Sequence, residues 1–414
     1  MVIKATQTPE GILQGDQSRA RDMMTVDTET DQLSLLRLEH ENEQLLPGIT
    51  DEITLRHVVP KLPWRVFNIL VSVSRSWRQA VRSGAVYDAR IRASATETLV
   101  AILVGANEYD RNLVQIALYS MNDKCCYQLP PFPEFGRIPR ACQFAILDGK
   151  IYVLGGKVHK YDSWSEVWVF DLVGQTGWKK CANMHDSRSH FACAVKDGKI
   201  FVFGGGHCCS SEVYDPEEDM WLLLTPISSQ RTGHRAARVG EELIVYGGYL
   251  SSLDLDVFEF PITSLEPGVF EYPITLEVYD PAADDWRVRD AGREFSELAV
   301  FRAQGKFYWV TEDCIFVYDD DENTWSHRYL NSFRTLGLED YFAVATIDGL
   351  AFNDEVILAV EVLYERPGSH AMSYLLQSKA FGSCVDTIEW QIENFSLYFG
   401  GSSWTSALIG LIQL

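Results

Sequence analysis

The sequence has no run of about 18 apolar residues, so nothing in it has the length to cross a membrane as a helix. Its first residues, MVIKATQTPEGILQGDQ, contain one lysine but no apolar stretch and no small-residue cleavage site, which speaks against a secretory leader and for a chain working in the cytoplasm or nucleus. Positive charge is scarce. Against 58 acidic residues stand only 36 Lys and Arg, a formal net charge of -22, which excludes generic attraction to nucleic acid or anionic lipid. The nine cysteines are too few and too scattered for a disulfide framework in a chain of 414 residues, and reduced thiols are expected.

What is present is a repeat. DGKIYVLGG (148–156) returns as DGKIFVFGG (197–205), then more loosely as GEELIVYGG (240–248), QGKFYWV (304–310) and DGLAFND (348–354). Copies are followed by an apolar stretch ending in an aromatic residue and Asp, in VWVFDL, SEVYDP, LEVYDP and IFVYDD, and then by Trp178, Trp221, Trp286 and Trp325. A degenerate copy, LYSMNDKCCYQLPP, comes first, with Tyr127 taken as the residue in the tryptophan's place. The glycine pairs recur after 49 and then 43 residues, and each unit reads as four short strands with glycine at the hairpin tips. That is the pattern of a β-propeller blade. Five recognisable copies and the degenerate one predict six blades.

The double glycine, the aromatic-Asp pair and the spaced tryptophan resemble the kelch repeat family over roughly residues 97 to 395. The resemblance implies that the aromatics pack between blades and that residues 396–414 close the ring. Context argues against two chemical readings of GGGHCCSS. A phosphate loop needs Gly-Lys-Ser/Thr entering a helix, and adjacent Cys208 and Cys209 beside His207 point to opposite sides of an extended chain with no C-x-x-C partner. Some kelch proteins are copper-radical oxidases. Here His159, His185, His190, His207, His234 and His327 share no blade position apart from His190 and His234, and no Ser-His-Asp set can be assembled. The expectation is a non-catalytic chain without metal or cofactor.

Residues 46–92 do not share the repeat. Thr50 is a candidate N-cap, Asp51 and Glu52 suit a first helical turn, and KLP at 61–63 ends that helix. A second helix starts near Trp64 with Val66, Phe67, Leu70, Val71 and Val73, and Trp77 and Val81 continue its apolar face after a short break. Such a module has more apolar surface than about 40 residues bury alone. Leu46-Pro47-Gly48, Asp51, Pro63 and VSRSWRQAV (73–81) resemble the plant-type F-box that precedes kelch repeats, although Ile49-Thr50 stands where that family usually has Leu-Pro.

The resemblance implies a three-helix module that docks on the SKP-family linker of a cullin-RING (SCF-type) ubiquitin ligase, with the propeller recruiting the protein to be ubiquitinated. Leu46, Pro47, Ile53, Leu55, Pro63, Leu70 and Trp77 are the expected linker contacts. Eight basic residues against three acidic ones in 46–92 fit an acidic partner. A scaffold unconnected to ubiquitin would account for the propeller alone, and an enzyme for neither half.

Three expectations remain. Residues 1–45, with nine acidic and four basic residues, read as disordered. VFEFPIT (257–263) and VFEYPIT (269–275) are near-duplicates that could pair as a projecting hairpin. Finally, Arg140, Arg188, Arg231 and Arg293 each precede a blade, and with His190 and His234 are expected to crown one end of the ring as a site for an acidic or phosphorylated target.

Overall fold

A computed structural model describes residues 44–104, 115–133, 138–157, 162–174, 176–205, 208–239, 241–250 and 275–290, and beyond these the strands between Ala299 and Gln413. Residues 1–43, the duplicated segment at 257–274, His207 and Arg293 lie outside the described residues. Among the described residues, no helix is long and apolar enough to cross a membrane.

Among the described residues, six antiparallel four-stranded sheets form the blades of a propeller. Blade 1 takes Thr98–Val104, Gln115–Ser120 and Cys125–Gln128 from the front of the chain and Leu408–Gln413 from its end. Blades 2 to 6 span 143–180, 192–224, 235–290, 299–329 and 341–394. The six inner strands, Gln143–Leu147, Ala192–Lys196, Arg235–Val239, Ala299–Ala303, Tyr341–Phe352 and Leu408–Gln413, stand side by side in a closed circle. Closure is made by pairing Leu408–Gln413 to Thr98–Val104, from Leu103↔Leu408 to Thr98↔Gln413, which ties the last strand to the first.

Second strands such as Lys150–Leu154 and Lys199–Phe203 are buried on both faces, because each blade is sandwiched between two others. Their Asp-Gly tips, Asp148-Gly149 and Asp197-Gly198, have positive φ at both residues, as two-residue hairpins require. The copy at 348–354 departs from this pattern. Gly349 pairs with Leu358 in the interior of a ladder, so the repeat signal there is displaced from the turn. The double glycines close the entry loops of blades 2 to 4. A Cβ on Gly156 would lie 2.8 Å from the Arg140 carbonyl oxygen and one on Gly248 2.7 Å from the His234 nitrogen, so the glycines serve backbone approach within the fold.

Aromatic residues join the blades at their outer strands. Tyr214 and Trp221 sit opposite each other, as do Tyr279 and Trp286. Three outer-strand tryptophans donate their indole N–H to the preceding blade: Trp178 to the Pro130 carbonyl (3.0 Å), Trp221 to Ala182 (2.9 Å) and Trp286 to Thr225 (2.8 Å). Each tyrosine hydroxyl donates to an aspartate, Tyr214 to Asp219 and Tyr279 to Asp284 at 2.6 Å, and those carboxylates accept from the Ala182 and Thr225 amides. Burial and the Asp219 bond push the Tyr214 hydroxyl above its ordinary pKa, so it remains a donor. Blade 2 has Phe170 in this place and no such bond. Tyr214→Phe is therefore expected to cost about 1 kcal/mol in urea denaturation, the worth of one hydrogen bond to a carboxylate held in place by a neighbouring blade. A change within error would show that Asp219 is held by Ala182 alone.

Candidate functional site

The helical module begins where Thr50 accepts from the Ile53 amide and Asp51 accepts from the Leu45 amide at 2.8 Å. Asp51–Ile53 is α-helical, Thr54–Val58 widens to π geometry and Val59–Lys61 tightens to a 3-10 turn, after which Leu62 and Pro63 are extended. Helix α1 (Phe67–Val73) ends at Ser74, whose extended backbone and side chain cap helix α2 (Arg75–Arg82) by accepting from the Trp77 amide at 3.1 Å. Helix α3 (Ala85–Arg92) follows. The module is thus made of three short helices preceded by an irregular first segment.

Two of the expected linker contacts lie inside the module. Leu70 and Trp77 are buried in the core with Val59, Trp64, Phe67, Val81 and Val86. Leu46 and Leu55 are half-buried against that core, Pro63 is half-buried, and Pro47 and Ile53 are exposed. The residues that the sequence reading missed are Ile69 and Val73, 59% and 61% exposed and one turn apart on α1. With Ile49 and Ile53 they are the large apolar side chains the module leaves in water, apart from Ile91 on α3.

The module's core is continuous with that of blades 1 and 2, through Leu99, Leu103, Ile151 and Phe170. Blade 1 is adapted to receive it. Register places Cys126, and not Tyr127, opposite Tyr119 in the position of the tryptophan, which corrects the sequence reading. Tyr127 instead meets the Trp64 ring edge-on at 5.7 Å, and its hydroxyl accepts from Arg65 at 3.2 Å and donates to Asp123 at 3.0 Å. Behind this contact Glu97 accepts from the Trp64 amide (3.0 Å) and from buried Arg90 (2.9 Å).

At the propeller's entry loops the expected crown of free guanidiniums is not found. Arg188 and Arg231 are buried, each against a buried glutamate of its own blade, Glu212 at 2.6 Å and Glu277 at 2.8 Å. Arg188 also donates to the Gly204 and Ser210 carbonyls and the Ser210 hydroxyl, all at 2.7 Å. His234 is buried too and donates to the Phe203 carbonyl, and burial pulls its pKa down to about 4. Arg140 is exposed, and His190 is half-buried with positive φ.

These residues are not equivalent. Counting from the left-handed residue of each entry loop, Ala141, His190 or Gly233, the buried arginine position is Pro139 in blade 2, Arg188 in blade 3 and Arg231 in blade 4. Blade 2 also has Trp168 where the others have Glu212 and Glu277, so both members of the pair are missing together. The left-handed residues are stitched between blades, His190 N–H to the Ala141 carbonyl (3.0 Å) and Gly233 N–H to His190 (2.8 Å).

Among the described residues, no group of three or more His, Cys, Asp or Glu is placed to hold a metal. Burial pushes the Cys142 and Cys193 thiols up to about 12, which makes them inert packing groups at neutral pH.

No protein-family model matches the chain. Among curated proteins, an F-box/kelch-repeat protein of Arabidopsis thaliana is 27% identical over 281 residues, covering 59% of this chain and 64% of its own length. The F-box/kelch-repeat protein SKIP30 of the same plant is 33% identical over 220 residues, 49% of this chain and 58% of its own. A further Arabidopsis F-box/kelch-repeat protein is 25% identical over 357 residues, 69% of this chain and 71% of its own. The chain thus spans about two thirds or less of the first two relatives. A short helical module set on a six-bladed ring is thus similar to plant proteins that carry both repeat and module in their names, the F-box/kelch-repeat proteins of Arabidopsis thaliana.

Proposed function

We propose that the chain is the substrate-recognition subunit of an SCF-type ubiquitin ligase, working in the cytoplasm or nucleus, whose helical module docks on a SKP-family linker and through it on a cullin while the propeller holds the target protein. The chain itself supplies binding and no catalysis. The observation that carries this reading is the pair Ile69 and Val73, left in water on a module whose own core is already closed by Leu70, Trp77 and Val81. Apolar side chains held in this way are suited to burial in a partner. The surplus of basic residues in 46–92 favours an acidic one.

The test is co-purification of the full chain with a SKP-family linker. Ile69→Asp with Val73→Asp is expected to lower affinity by about 2 kcal/mol or more, roughly 30-fold, with the thermal melt unchanged because both residues are exposed. Linker capture that survives this pair of changes, or that never occurs with the wild type, would remove the adaptor reading. A variant at Leu70 would be uninformative, since its loss opens the module's core.

A further inference from the structure

The rim between blades 3 and 4 is built from different residues than its counterparts. In blade 3, Trp221 packs into the cluster shared with blade 2, whereas Leu224 packs into the cluster shared with blade 4. Side chains alternate along a strand, so Met220 and Leu222 share the face of Leu224. From the other side Trp286 packs into the same cluster, and Val288 shares its face. Met220, Leu222 and Val288 are 46%, 50% and 57% exposed.

Register supplies an internal comparison. The residue before the tryptophan is Met220 in blade 3 but Gly177, Asp285 and Thr324 in blades 2, 4 and 5, and the residue after it is Leu222 but Lys179, Arg287 and Ser326. Two residues after, Val288 of blade 4 replaces Lys180 of blade 2 and His327 of blade 5. The seam between blades 2 and 3 has an aliphatic on one wall only, Leu223 facing the side of Lys179. Aliphatic residues on both walls are confined to the seam between blades 3 and 4 among these positions.

Charge on the blade 3 wall of the seam is of one sign. The hairpin 211–225 contains no lysine or arginine. Glu217 and Glu218 are exposed just before Met220, and at the other end Thr225 bonds to Asp284, beside exposed Asp285. Among the described residues Met220–Leu224 pairs only with Ser211–Asp215, so its outer edge offers backbone donors and acceptors to an added strand.

We infer that this seam docks an extended segment of the recruited protein, aliphatic at its centre and bearing lysine or arginine at its ends. The inference rests on the ligase reading only for the identity of the protein that supplies the segment. It also reverses the acidic target expected from the arginines, two of which, Arg188 and Arg231, are consumed inside the blades.

The experiment probes an array of short immobilised peptides with the full chain, each with a Val, Ile and Leu centre flanked by Lys/Arg, by Asp/Glu or by neutral residues. Basic-flanked peptides are expected to bind best. Leu222→Lys with Val288→Lys, which installs residues found in blade 2, is expected to weaken them at least about tenfold. Glu217→Lys with Glu218→Lys is expected to shift preference to acidic flanks. Equal binding whatever the flank, or binding undiminished in the first variant, would overturn the inference. So would a dimer of the full chain in light scattering that Leu222→Lys dissociates, since a second copy would then be the occupant. Linker co-purification is expected to be unchanged in all these variants, and its failure in the wild type would refute the ligase reading while leaving a peptide result standing.

Discussion

Arg188→Ala is expected to destabilise the propeller by about 3 to 5 kcal/mol, the cost of leaving one half of a buried ion pair without the other. Arg140→Ala, at an exposed residue, should change stability by no more than about 0.5 kcal/mol. The contrast follows from geometry. Both side chains of the Arg188–Glu212 pair are fully buried, and Glu212 additionally accepts from the His185 and Asp186 amides at 2.8 and 3.2 Å. Removing the guanidinium strands that carboxylate and the Gly204 and Ser210 carbonyls at once. Replacing both partners by apolar residues, Arg188→Met with Glu212→Leu, should cost much less than the sum of the single changes, because a buried pair has to repay its own desolvation. Blade 2, with Pro139 and Trp168 in these places, is a natural version of that double replacement. Urea unfolding of Arg188→Met, Glu212→Leu and their combination, beside Arg188→Ala and Arg140→Ala, followed by tryptophan fluorescence decides the matter. Additive losses in the double variant would mean that the two residues act separately.

How far the sequence could be read depends on the physics of each element. Blades 2 and 3 were legible because their two-residue hairpins demand positive φ, which only a few residues adopt cheaply, and blades 2 to 4 because an aromatic pair stands opposite itself on their outer strands. Blade 1 misled at Tyr127, since a one-residue shift sends a side chain to the other face of a sheet and nothing local records that the helical module waits there. The arginines were misplaced for a related reason. Arg140 and Arg188 stand at similar distances from a hairpin glycine, yet the entry loop is offset by one residue, so one guanidinium is outside and the other inside. In the helical module, segments of π and 3-10 geometry break the 3.6-residue period on which face assignment depends, and Leu70 and Ile69, adjacent in sequence, took opposite roles. The seam between blades 3 and 4 could be seen only after register had aligned Leu222 with Lys179 and Arg287.

Acid should weaken the ring through His234. The imidazole is fully buried, and burial first, with Arg231 close by, lowers its pKa from 6.5 to about 4 despite the bond to the Phe203 carbonyl. In the unfolded chain the same group takes a proton near pH 6.5, so below that value the unfolded state binds a proton that the folded state refuses. The stability it contributes is therefore complete above about pH 6.5 and is lost as pH falls towards about 4, by about 3 kcal/mol in all at 1.36 kcal/mol per unit. His234→Gln keeps a donor for the carbonyl but has no proton to gain. Between about pH 7.5 and about pH 5, the wild type is expected to lose about 2 kcal/mol more than this variant in urea unfolding, while the shared response of the carboxylates cancels. Parallel losses would place the acid sensitivity elsewhere, for example at Asp284. Its carboxyl lies below the usual range because the hydrogen bonds from Tyr279 and Thr225 outweigh the opposing effect of burial, the largest single influence on it. The reason for expecting the histidine to dominate is its position in the repeat: counted from the left-handed residue, it occupies the place of Cys142 in blade 2 and Phe191 in blade 3, both buried and neutral, and a cation there would be repelled by Arg231 and Arg188.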